Sequence, residues 1–137
     1  MGYLRWALLA LVAYTLVAPL TKVATREIPS DVVVIVANGM LVVAAVGIVV
    51  QSDVSVAPYL THRLAPYAYA SGIALTVGII AYYRALAAGP VSVVTPIFGL
   101  FIVSSSLVGV VALDESLTLT KAAGVGFAVL AIVLTAR

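Results

Sequence analysis

Thr95, Gly99, Ser106 and Gly109 recur at helical spacing, so on a helix they form one stripe of small, partly polar side chains. Ser104 and Ser105 flank that stripe, and Pro96 follows Thr95 directly. Hydroxyls in this pattern do hydrogen-bond chemistry. A hydroxyl nucleophile needs a base within reach, and the sequence holds one histidine, His62, in a polar stretch between Thr61 and Arg63. Two uses of the stripe stand side by side: the hydroxyls bond carbonyls one turn back and the small residues let another helix approach, or the stripe lines a cavity for a polar solute. Pro96 removes the amide that would bond the Ser92 carbonyl, so it and Gly99 give this segment a place to bend.

Other polar groups sit inside apolar runs. Tyr14 and Thr15 fall midway along the first run and Asn38 midway along the second, where a bond to another helix is the expected use of its amide. Gly72, Thr76 and Tyr83 share a helical face, with Tyr82 beside them; the two tyrosines read either as cavity groups or as interfacial aromatics next to Arg84. Tyr14, Thr76, Tyr83, Thr95, Ser105 and Ser106 are the candidate substrate-binding residues. Gly124, Ala128, Ala131 and Thr135 repeat at helical spacing near the end of the sequence and form a seam suited to helix association, between copies or within one chain.

The charged residues exclude other chemistry. Asp and Glu number five, namely Glu27, Asp31, Asp53, Asp114 and Glu115, and all fall between apolar runs, so no carboxylate is placed mid-span as a proton relay. With no cysteine and one histidine, no metal cluster is expected. The glycines follow neither phosphate-binding pattern, and a net charge of +2 is too small for a nucleic-acid footprint. Neither an enzyme nor a cofactor is expected.

These residues must be positioned by membrane-spanning helices. Of the 137 residues, 64% are hydrophobic and 9% charged, more apolar surface than a soluble domain of this size can cover. A span needs about 20 apolar residues. The charges mark out segments of about that length near 3–20, 32–50 and 64–88. The next uncharged run is too long for one span and is divided by Gly89-Pro90, a helix stop followed by a helix start, giving 90–113 and then 117–136. Pro19 and Lys22 read as the end of the first span, not as part of a cleaved signal peptide. The expected fold is an all-α, five-helix integral membrane bundle forming a single domain over 1–137, with short loops, in the cell (plasma) membrane.

Five spans place the cations alternately. Arg5, Arg63 and Lys121 fall on one side and Lys22, Arg26, Arg84 and Arg137 on the other, three against four. The positive-inside rule has little to act on, so dual topology is one expectation; a single orientation set by Lys22 and Arg26 in the cytoplasm is the other.

The stretch Tyr82-Tyr83-Arg84-Ala85-Leu86-Ala87-Ala88-Gly89-Pro90, with Thr95-Pro96 inside the following helix and Glu115-Ser116-Leu117-Thr118 after it, resembles the EamA-type drug/metabolite transporter family. Ala18-Pro19-Leu20-Thr21-Lys22 and Gly124 are similar to it too. The resemblance implies a mover of small organic solutes whose typical member has ten helices in two inverted five-helix repeats, with a cavity lined by the first, third and fourth helices of each. The present sequence is one repeat long. It implies a half-size secondary transporter or exporter that completes itself as a dimer, with an antiparallel homodimer as the leading arrangement and a parallel or mixed pair as alternatives. From a different class, the same stripes suit a non-transporting membrane scaffold or partner subunit, and a lipid-carrier flippase is a third reading.

Overall fold

The computed structural model describes residues 2–112, 116 and 118–135, with Lys121 and Thr135 as backbone only. Among these residues the fold is entirely helical: α1 Gly2–Ala24, α2 Ser30–Gln51, α3 Ala57–Leu60, α4 Ala65–Ala88, α5 Val91–Ala112 and α6 Leu119–Thr135. Four helices, α1, α2, α4 and α5, are long and apolar enough to cross a membrane. Continuous apolar runs favour helices here because a helix satisfies its backbone internally, which a bilayer requires.

The expected fifth span is the weakest. At about 1.5 Å per residue, the 17 residues of α6 cover about 26 Å, short of the ~30 Å hydrocarbon core. It begins at Leu119, two residues after the start expected from the sequence, and the flanking Asp114, Glu115 and Leu117 lie outside the described residues. The first span also differs from expectation. Pro19 does not end α1, which continues through it to Ala24, because a proline late in a helix forfeits one bond to the residue-15 carbonyl and leaves the final turn to form normally.

Two compact units divide the chain, one up to Ala88 and one from Gly89 onward. In the first, α4 packs against both α1 and α2. Its three spans alternate in direction, so the end of α1, the start of α2 and the end of α4 share one membrane face. Burial concentrates at that face: Ala18 and Thr21 of α1 and Tyr82, Tyr83 and Leu86 of α4 are buried, Leu86 completely. Toward the opposite face, residues 2–16 of α1 and 66–78 of α4 are all exposed. Apolar side chains exposed in this way are the normal condition of a helix that faces lipid.

The link between α2 and α4 carries an element absent from the sequence reading, the single turn α3, started by Pro58 at its first positions. Here Tyr69 Oη donates to the Leu60 carbonyl at 2.6 Å, and the Leu64 amide donates to His62 Nδ1 at 3.2 Å. The lone histidine therefore holds a turn. Asp53, just past the end of α2, takes a φ of 52°, a conformation that a short polar side chain tolerates better than most.

In the second unit α5 packs on α6. Gly99 faces Ile132 closely enough that an added Cβ would lie 4.0 Å from its Cδ1, ordinary contact. Val103 and Gly109 are buried on α5, and the Phe98 and Phe101 rings stack at a tilt, 4.9 Å apart.

Candidate functional site

The six candidate residues divide between the units: Tyr14, Thr76 and Tyr83 belong to the first, Thr95, Ser105 and Ser106 to the second.

In the first unit Tyr83 is 4% exposed, one turn before Leu86 and edge-on to Tyr82, with ring centroids 6.4 Å apart. Both tyrosines are buried within the unit. Tyr14, in contrast, is 65% exposed on α1, and Thr76 is exposed on α4. Thr76 shares a helical face with Tyr83 but lies toward the open end of the unit, so the two stand in different surroundings. The Thr76 hydroxyl donates to the Gly72 carbonyl at 2.8 Å, and that of Thr15 to the Leu11 carbonyl at 2.8 Å. Asn38 likewise turns back on its own helix, its Nδ2 donating to the Val34 carbonyl at 2.9 Å. The interhelical bond expected of Asn38 is replaced by this local one, which satisfies a donor without a second helix.

The serines of α5 follow the same rule. Ser104, Ser105 and Ser106 donate to the carbonyls of Leu100, Phe101 and Ile102 at 3.2, 2.7 and 2.8 Å, and all three are exposed. Thr95 is the exception. Its residue is half-buried and its Oγ1 is enclosed, without a hydrogen-bond partner. A buried hydroxyl left this way costs about 1–3 kcal/mol. One residue on, Pro96 lies inside α5 and offers no amide to the Ser92 carbonyl. A donor without an acceptor and a carbonyl without its helical donor therefore lie within one turn of the same helix. Gly99, one turn further, is half-buried.

On α6, Gly124 and Ala131 are exposed and Ala128 is half-buried, with open space where a Gly124 Cβ would stand. The side chain of Thr135, the last member of this seam, lies outside the described residues.

The sequence reading missed two polar links in the first unit. Lys22 Nζ donates to the carbonyls of Leu86 and Ala87 at 2.8 and 3.3 Å, tying α1 to the end of α4. Arg84 pairs with Asp31 at the start of α2. The cue for the second was available: opposite charges at the ends of adjacent antiparallel spans. Among the described residues no group of acids and imidazoles can hold a metal ion.

The EamA-like transporter family model matches residues 1–137, and the chain belongs to that family. It is thus an integral membrane protein of a family whose members are transporters of small molecules, not enzymes. No curated protein and no solved structure matches it.

Proposed function

We propose that the chain is a half-size secondary transporter or exporter of small uncharged or amphipathic metabolites, residing in the plasma membrane. It pairs with a second copy inserted the opposite way and works by alternating access between the two five-helix repeats. The observation that carries this reading, beside family membership, is the enclosed, unpartnered Thr95 Oγ1 next to Pro96. A solute hydroxyl, amide or carbonyl supplies the missing partner, and the proline lets α5 bend as the solute enters and leaves. Tyr83 and Tyr14 offer aromatic surface, and Thr76, Ser105 and Ser106 offer secondary acceptor sites. The absence of mid-span carboxylates in the sequence agrees with an uncharged or amphipathic cargo. The seam of Gly124, Ala128, Ala131 and Thr135 is assigned to the pairing of copies.

A second reading has one observation in its favour. Thr76, Ser105 and Ser106 bond to their own helices, as they would in a non-transporting partner subunit. Flux into proteoliposomes decides between them. With a panel of neutral and amphipathic metabolites, a transporter moves at least one compound, and Thr95→Val lowers that flux while dimers persist. Absence of flux for the whole panel, with loss of assembly in Thr95→Val, supports the subunit reading instead.

A further inference from the structure

The end of α4 poses a bonding problem that its sequence creates. In an α-helix the carbonyl of Leu86 accepts the amide of residue 90, but residue 90 is proline and has none. Leu86 is also the one fully buried large side chain among the described residues, and the bond its carbonyl accepts is part-buried. The structure supplies a donor from elsewhere in the sequence: Lys22 Nζ, 64 residues away, lies 2.8 Å from the Leu86 oxygen and 3.3 Å from that of Ala87.

We propose that Lys22 is a positioning residue which stands in for the amide that Pro90 lacks, capping α4 with a side chain from α1 and latching the closed end of the first unit. Three features favour this assignment. The ammonium carries three donors and reaches two successive carbonyls, as a cap requires. Its positive charge sits at a helix C-terminus, where the peptide dipoles present partial negative charge. The bond also joins the two helices that contribute Ala18, Thr21, Tyr82, Tyr83 and Leu86, the buried residues of that end. Gly89-Pro90 marks the boundary of the unit, so the cap sets the conformation in which the chain leaves it.

The proposal makes the effect of Lys22 depend on what occupies position 90. With Pro90 in place, Lys22→Met removes the charged hydrogen bond that the Leu86 carbonyl accepts. Amide hydrogen exchange over residues 86–88 of the full chain in lipid nanodiscs should then accelerate by about tenfold or more. Lys22→Arg, which keeps a charged donor, should hold exchange near the parent rate. In a Pro90→Ala background the restored amide caps Leu86 itself, and Lys22→Met should accelerate exchange by less than about threefold. This rescue restores the bond but not the charge, so it separates capping from any effect of Lys22 on membrane insertion. Equal acceleration in the parent and Pro90→Ala backgrounds overturns the proposal, as does unchanged exchange in Lys22→Met. Should Lys22→Met fail to accumulate, Lys22→Gln on its shorter stem is compared in the same two backgrounds and judged in the same way.

Discussion

Arg84 near the end of α4 reaches Asp31 in the first turn of α2, its Nη2 and Nε each 3.2 Å from the same carboxylate oxygen. Each charge also suits its helix end, the acid near an N-terminus and the cation near a C-terminus. Both side chains are 64% exposed, however, so water and salt compete with the pair. A double-mutant cycle of Arg84→Ala and Asp31→Ala should therefore give a coupling below about 1 kcal/mol, shrinking as salt is added. The measurement is reversible unfolding in detergent at two ionic strengths.

Thr95 should behave in the opposite sense to an ordinary buried threonine. Because its Oγ1 has no partner, Thr95→Val removes an unsatisfied hydroxyl at nearly constant volume. The expected outcome is a variant at least as stable as the parent, by up to about 1 kcal/mol, whose flux for any transported solute falls tenfold or more, about 1.4 kcal/mol of lost interaction. Thr95→Ser should keep both properties. Thermal unfolding and proteoliposome flux on the same preparations check the two halves of the expectation.

The contrast between Thr95 and its neighbours explains how far the sequence could be read. The long spans were legible because their boundaries depend on charge spacing and bilayer thickness, both one-dimensional properties. Helicity was legible for the same reason. The fate of each hydroxyl was not: Thr95 and Ser106 lie on one stripe, yet Ser106 bonds one turn back and Thr95 does not. Side-chain rotamer and enclosure decide that difference, and helical spacing carries neither. Tyr82 and Tyr83 were equally ambiguous, since proximity to Arg84 suits an interface while burial depends on how α4 packs. Lys22 was legible in part. Pro90 four residues after Leu86 announces an amide missing from a helix end, but only the fold brings Lys22 to it.

Ser105 and Ser106 test whether self-satisfied hydroxyls matter to the assembly. Each donates to a carbonyl of its own helix and is exposed, so replacement by alanine removes a local bond that the helix does not need. Ser105→Ala and Ser106→Ala should each change stability by no more than about 0.5 kcal/mol. A larger loss, accompanied by dissociation of the proposed dimer on size-exclusion chromatography, would instead place these hydroxyls in a contact between copies. Altered flux with intact dimers would place them beside the solute.

The orientation of the chain should be easy to tip. On the proposed five-crossing topology the cations divide as Arg5, Arg63 and Lys121 against Lys22, Arg26, Arg84 and Arg137. A bias of one charge is small compared with what usually fixes orientation. Tags at the two termini should therefore each report both compartments in the parent chain. Arg5→Ser leaves two cations against four and should drive the Lys22 face into the cytoplasm, giving a single orientation. If transport depends on opposed copies, flux should fall with it, and co-expression with a variant biased the other way, Arg26→Ser plus Arg84→Ser plus Arg137→Ser, which leaves three cations against one, should restore it. A parent chain already uniform in orientation would remove the antiparallel pair and leave a parallel or mixed dimer in its place.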